Sequence, residues 1–404
     1  MEKRKTPRIR FKGFSDDWEQ RKLGACFEER CENMPDGELI SVTISDGIKK
    51  FSELGRHDNS NQDKSKYKKV CIGDIAYNSM RMWQGASGYS PFEGIVSPAY
   101  TVLKPNVNIN SKCVSYLFKR QDMIHVFQLN SQGITSDNWN LKFPALSQIA
   151  VSLPGDIKEQ SRIATYFSNI DTLITLHQRK LEKLKIIKKS MLEKCFPKKG
   201  EKVPKIRFSG FTDDWKQRKL GDVANSFEYG LNVAAKAYDG INKYIRITDI
   251  DDVSRKFLFN NLTSPNVNIS EAINYQLKKG DILFARTGAS VGKTYLYSEK
   301  DGMVFYAGFL IRAKISSSYD SNFIFQNTLT ENYRRYIQIT SQRSGQPGVN
   351  AQEYGEYKLM IPRLLEQKKI GNYFKYLDTL ITLHQSKLEK LQKIKKSMLE
   401  RMFV

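Results

Sequence analysis

No run of about 18 apolar residues occurs in the chain, so no membrane-spanning helix is expected. The opening MEKRKTPRIRF carries charge with no apolar segment behind it, which argues against a signal peptide and points to the cytosol, with no membrane partner. The five cysteines (Cys26, Cys31, Cys71, Cys113 and Cys195) follow no metal-ligand spacing, and the close pair Cys26 and Cys31 has no histidine nearby. Buried free thiols are therefore expected, without metal or disulfide framework. Also missing are an Asn/Asp-Pro-Pro-Tyr/Phe run, a glycine-rich adenosylmethionine loop, an intact Walker motif and a nuclease carboxylate-lysine set. No chemistry by the chain alone, and no cofactor, is expected. Acidic residues are in deficit: Asp+Glu 43 against Lys+Arg 65 gives a net charge of +22. With 40% apolar and 11% aromatic residues the 404-residue chain is long enough for two or three folded domains, and the charge makes a polyanion, nucleic acid before membrane, the leading partner.

What is present is present twice. PRIRFKGFSDDWEQRKLG at 7–24 returns as PKIRFSGFTDDWKQRKLG at 204–221 with 14 of 18 identities, and the 34-residue block at 163–196 returns at 370–403 with 24. The stretches between, 25–157 and 222–362, barely align. Two near-constant frames thus hold two divergent inserts, a layout that fixes geometry while leaving each insert free to differ. Function is expected in the inserts. Their short apolar runs, broken by Gly, Asn, Asp and Ser as in VCIGDIAYNSM (70–80), KKGDILFARTG (278–288) and GMVFYAGFLIRAKI (302–315), read as mixed α/β globules.

The back blocks carry a heptad seam. Ile170, His177, Leu184 and Met191 are spaced by seven in the first copy, with Leu173, Ile174, Leu181 and Ile187 between them; Leu377, His384, Leu391 and Met398 repeat the pattern with Leu380, Ile381, Leu388 and Ile394. Each block reads as a helix of about 50 Å at 1.5 Å per residue, with one narrow apolar face and lysines outside. Neither is stable alone, and the obvious partner is the other copy. An antiparallel pair places the inserts at opposite ends of a rod about a pseudo-two-fold axis, and a parallel pair places them side by side. Pro197, Gly200 and Pro204 mark a solvated linker after the first helix, and VSLPGDIKEQSRIATYF (151–167) and KLMIPRLLEQKKIGNYF (358–374) share a proline and a Glu-Gln pair, as a last strand turning into a helix start.

The doubled I-R-F-x-G-F-x-D-D-W-x-Q-R-K-L-G block, the Pro…Glu-Gln…Tyr-Phe segment and the D-T-L-I-T-L-H-Q-x-K-L-E helix resemble, over the whole chain and in order, the specificity subunit of type I restriction-modification systems. The resemblance implies a non-catalytic DNA-reading subunit of α+β fold. Two pseudo-two-fold related globular α/β target-recognition domains (1–157 and 207–362) are separated by two long helices (158–196 and 363–404) forming an antiparallel coiled coil, with a linker at 197–206. It implies as partners double-stranded DNA, two methyltransferase (modification) subunits and two motor and nuclease (restriction) subunits, each domain reading half of a bipartite site. Two reading heads on one face of B-DNA need sites about 34 Å apart, so the helices act as a ruler and spacer length should follow their length. The rival readings are an autonomous two-headed DNA-binding regulator and a nucleotide-hydrolysing protein.

The nucleotide rival rests on Thr287-Gly288-Ala289-Ser290-Val291-Gly292-Lys293-Thr294. A Walker A loop needs glycine five positions before the Gly of Gly-Lys, and Thr287 stands there. A surface loop is expected instead. The R-T-G-x-S-x-G-K-T run is similar to a recurring stretch of the family's recognition domains, which puts Arg286, Thr287, Ser290 and Lys293 near DNA. In the first insert the matching strand runs into NSMRMWQGASGYS (78–90). There Arg81, Trp83, Gln84 and Ser87 are candidates, because Arg and Gln carry the paired donors and acceptors that discriminate guanine and adenine edges. A core-capping Trp and a salt-bridged Arg are the alternative. Late in each insert, SQGITSDNWN (131–140) and SQRSGQPGVN (341–350) offer Ser131, Gln132, Asn138, Gln342, Arg343, Gln346 and Asn350 as base or phosphate contacts, or as ordinary solvated loops. His177 and His384 have no carboxylate cluster around them and read as polar seam residues that fix register. The flanking lysines (Lys180, Lys183, Lys188, Lys189 and Lys387, Lys390, Lys395, Lys396) read as solvated faces, available also to a partner subunit or phosphates.

Overall fold

The structure, a computed structural model, describes residues 6–44, 47–58, 60–135, 138–342 and 345–404. The chain divides into two compact units, residues 1–177 with 387–404, and residues 178–386. In the first, the QRK segment of the front block forms strand Glu19–Lys22 and pairs antiparallel with Ala150–Leu153, the strand before the long helix. In the second, Lys216–Lys219 pairs with Lys358–Ile361 in the same register. Both ends of each insert are thereby tied together beside a buried tryptophan, Trp18 or Trp215.

Each insert is built on a four-stranded antiparallel sheet. In the first unit the order is Phe27–Glu29, Tyr100–Pro105, Ile75–Asn78, Ser87–Tyr89; in the second it is Ala224–Tyr229, Leu310–Ile315, Asp281–Ala285, Thr294–Leu296. The central strand Asp281–Ala285 is buried along its whole length, matching its continuous apolar run. Outside these sheets the inserts part company. The first adds two antiparallel pairs, Ile40–Thr43 with Gly47–Lys50 and Lys68–Val70 with Gly94–Val96. The second adds the antiparallel pair Ala235–Ala237 with Thr263–Pro265 and a parallel pair, Lys243–Ile245 with Val304–Tyr306.

The long helices run Ile157–Lys194 and Leu364–Arg401, 38 residues each. Their starts are clamped by the Glu-Gln pair. Arg10 holds Glu159 through two hydrogen bonds of 2.7 and 2.8 Å, and Gln160 donates to Pro154 O while accepting from Asn110 N–H. Arg207 on Glu366 and Gln367 between Pro362 O and Asp320 N–H repeat the arrangement in the second unit. The Arg of the IRF motif therefore neutralises a carboxylate buried at the helix entrance.

Each unit contains the first half of one long helix and the second half of the other, running antiparallel. In the first unit Phe167 stacks on Phe403, ring centroids 6.0 Å apart, and Asp171 meets Lys395 Nζ at 2.5 Å. In the second, Phe196 lies 6.0 Å from Phe374 and Lys188 donates to Asp378 at 2.7 Å. The aspartate of D-T-L-I-T-L and a lysine of the K-K-S run thus pair in both units, which gives Lys188 and Lys395 partners rather than solvated faces. Ile9 N–H donates to Arg401 O, and Ile206 N–H to Lys194 O, both at 2.9 Å. Along the seam Ile170 and Leu377 are buried, and His177, Leu184, Met191, His384, Leu391 and Met398 are half-buried. The apolar face is narrower than the spacing indicates, since Leu173 and Ile394 are exposed.

Candidate nucleic-acid interface

Two loops meet in each unit, joined by the same backbone bond. In the first, Leu141 N–H donates to Ser79 O at 2.9 Å; in the second, Val349 N–H donates to Arg286 O at 2.9 Å. These bonds bring 78–86 beside the described residues of 131–141, and 285–293 beside those of 341–350. The first loop in each unit also has the same neck: Asn78 N–H reaches Ala86 O at 3.0 Å, and Ala285 N–H reaches Lys293 O at 2.8 Å. The hairpin turn after the Gly-Asp-Ile strand thus has a common frame with unrelated side chains.

In the first unit an edge-to-face contact between Trp83 and Trp139, centroids 5.2 Å apart, welds the loops together. Trp83 Nε1 donates to Met80 O at 3.0 Å. Arg81 is exposed and has no carboxylate partner among the described residues, and Gln84 is half-buried. Gln132 and Asn140 exchange backbone hydrogen bonds of 3.0 and 2.8 Å at the neck of the second loop, where Gln132 is exposed, as is Asn138. Two candidates are corrected. Ser87 is fully buried within a strand and so cannot face a ligand. Ser131 spends its hydroxyl on Phe127 O at 2.7 Å, closing the end of helix Gln121–Asn130.

In the second unit the loop is set from below by tyrosines. Buried Tyr354 donates to Ala285 O at 2.6 Å and accepts from Gly292 N–H at 3.1 Å, while Tyr333 donates to Gly292 O at 3.1 Å. Burial pushes both phenols well above their ordinary range. Thr287 bridges Gly348, Gly288 N–H donates to Pro347 O at 2.9 Å, and the carbonyl of half-buried Ser290 accepts from Lys293 N–H at 3.0 Å beside them. Arg286 lies with its guanidinium carbon 5.1 Å from the centroid of Tyr229. Gln342 and Gln346 are exposed, and Arg343 lies outside the described residues.

Lys293 is corrected, whereas the exposed Asn350 has a structural role besides the one expected of it. Lys293 is 7% exposed, because it turns inward to pair with Asp252 at 2.5 Å and to donate to Ile250 O at 3.1 Å. Its ammonium is thus taken up by partners within the fold. Asn350 caps helix Ala351–Gly355: its side chain accepts from Glu353 N–H while Glu353 accepts from Asn350 N–H. Sequence reasoning passed over Tyr229, Phe309 and Trp139: exposure beside a glycine-rich loop marks the first two, and the contact of half-buried Trp139 with Trp83 marks the third, none of it visible before folding.

An acid-base cluster of a buried arginine and a half-buried glutamate supports the sheet beneath. Arg312, 2% exposed, pairs with Glu228 and donates from its two terminal nitrogens to Gln276 O at 3.0 Å and Asn274 O at 2.7 Å, while its Nε is left without a hydrogen-bond partner. Burial opposes ionisation of Glu228, yet hydrogen bonds from Lys314, Arg312 and Ser226 win and hold its carboxyl down to about 2. Among the described residues, no group of His, Cys, Asp and Glu is placed to hold a metal ion, and no helix is long and apolar enough to cross a membrane. The five cysteines are free, Cys26, Cys113 and Cys195 buried, and burial pushes the Cys195 thiol up to about 11.

Comparison with known proteins gives concordant results. Residues 15–186 and 212–393 each match the family model described as type I restriction modification DNA specificity domain. The chain is 23% identical over 358 residues to the type I restriction enzyme MjaVIII specificity subunit of Methanocaldococcus jannaschii, covering 83% of this chain and 81% of that one. Its fold is similar to the crystal structure of a type I restriction-modification S subunit from M. genitalium, with a TM-score of 0.62 at 15% identity, covering 99% of each chain.

Proposed function

The chain belongs to the family of type I restriction-modification DNA specificity proteins, with two copies of the family's domain, and from that premise we propose that its two loop pairs read the two halves of a bipartite DNA site for enzymes carried by other subunits. It is a DNA-recognition subunit and not a catalyst. The observation that carries the division of labour is the shared backbone frame, Leu141 to Ser79 and Val349 to Arg286, under loops of unrelated sequence. A frame that repeats while its side chains differ suits two readers of different sequences. The net charge of +22 supplies the sequence-independent attraction to phosphates.

In this reading Arg81, Trp83, Gln84, Gln132 and Asn138 face one half-site, and Arg286, Thr287, Ser290, Gln342, Arg343, Gln346 and Asn350 face the other. The helices set the spacer and dock two modification subunits, with two restriction subunits joining the assembly in the cytoplasm. The test is co-expression with the cognate modification subunits. A complex that survives purification and binds one bipartite duplex far more tightly than scrambled DNA supports the proposal. Equally tight, specific binding by the lone chain, with no complex formed, favours an autonomous regulator.

A further inference from the structure

Arg286 differs from most arginines of its unit in how its charge is met. Arg207, Arg246, Arg312, Arg334, Arg335 and Arg363 each engage a carboxylate, and those pairs occupy N–H donors. Arg286 has no carboxylate partner among the described residues, and its charge is met by the ring face of Tyr229, 5.1 Å away. An aromatic face stabilises a guanidinium without accepting its N–H groups, so the donor fork stays available in a fixed plane. The backbone is fixed as well: Arg286 N–H donates to Phe309 O at 3.1 Å, and its carbonyl accepts from Val349 N–H at 2.9 Å. Tyr229 is held by its own hydroxyl, which accepts from Ala351 N–H at 3.3 Å at the start of a capped helix. Tyr229 is 44% exposed and Phe309 61%, so this arginine sits on the open side of the sheet among side chains that a protein core would have covered.

A flexible side chain suffices for a phosphate, whereas a base edge needs a fork held in one orientation. We propose that Arg286 is the guanine-reading residue of the second unit, directing two N–H donors at O6 and N7 of one guanine in the major groove, with Tyr229 as its positioning residue. The inference rests on the DNA-reading function proposed above and deepens it.

The test uses the full chain assembled with its modification subunits and measures methylation of duplexes in which each guanine of the recognition site is replaced in turn by 7-deazaguanine, which lacks the N7 acceptor. The expected result is a loss of about 10-fold or more at one guanine, in one half-site only, for the unaltered chain. The Arg286→Gln complex should be indifferent to that replacement and should accept other bases there, and Tyr229→Leu should show the same relaxation more weakly. If every replacement leaves the unaltered chain's rate intact, the proposal is overturned without any variant needing to fold. It is overturned also if Arg286→Gln slows methylation evenly with an unchanged motif, as a phosphate contact would. Absence of any sequence preference in the unaltered complex would instead sink the parent reading of the chain as a specificity subunit.

Discussion

At the scale of single residues, the strongest consequences come from charges that the fold has paired, fully buried or half-buried. Glu366 is fully buried and its carboxylate is met by both arms of Arg207. Arg207→Ala leaves that carboxylate unpaired and is expected to cost about 3–5 kcal/mol in a denaturant titration, whereas the double change Arg207→Met with Glu366→Leu should recover much of it. Glu228 predicts a pH dependence. Its carboxyl is held at about 2, below its ordinary 4.5, so the stabilisation it contributes is fully present above about pH 4.5 and is lost as the pH falls toward 2. Glu228→Gln should therefore lose less stability than the unaltered chain between pH 5 and pH 2.5, read from unfolding midpoints across that range. None of these partnerships was legible in the sequence. Arg207 and Glu366 lie in motifs that sequence reading did single out, but a contact across so long a stretch of chain leaves no local signature. Lys293 was misplaced for the same reason, because Asp252, which draws it inward, belongs to a different loop.

At the scale of elements, periodicity carried the prediction where a single pattern controls the structure. Spacing by seven marked both helices, and the paired QRKL and Pro…Glu-Gln motifs marked the ends of the inserts, because burial of one face imposes its period on the sequence. The order of strands within the inserts was not legible, since short apolar runs fix neither neighbour nor direction, and the parallel pair Lys243–Ile245 with Val304–Tyr306 has no signal of its own. The two loops proposed to face DNA in each unit were legible as loops, but their pairing was not. Their geometry predicts a local test. Gly292 has φ +80°, and a Cβ there would lie 2.6 Å from Ile337 Cγ2. Gly292→Ala is expected to cost about 1–3 kcal/mol and to displace the loop that carries Arg286. The measurement is the methylated motif of the assembled complex, where discrimination should fall in one half-site while the other half is retained.

At the scale of the whole molecule, the unusual feature is that each compact unit is completed by helix from the other sequence repeat. Leu399, Met402 and Phe403 are buried in the core of the first unit, where Phe403 meets Trp18 at 6.1 Å. Each such side chain contributes about 1.5–3 kcal/mol of burial. Removing residues 399–404 should therefore lower amide protection throughout the first unit, including strands near residue 20, while leaving the second unit's core protected in hydrogen exchange. The central claim is that two divergent inserts on one repeated frame read two independent half-sites. The most direct measurement is to replace residues 222–357 with the corresponding insert of a relative and map methylated adenines across a genome. The account predicts a bipartite motif in which one half changes while the other half and the spacer stay as they were. A motif that changes in both halves, or methylation that no longer follows any sequence set by this chain, would contradict it.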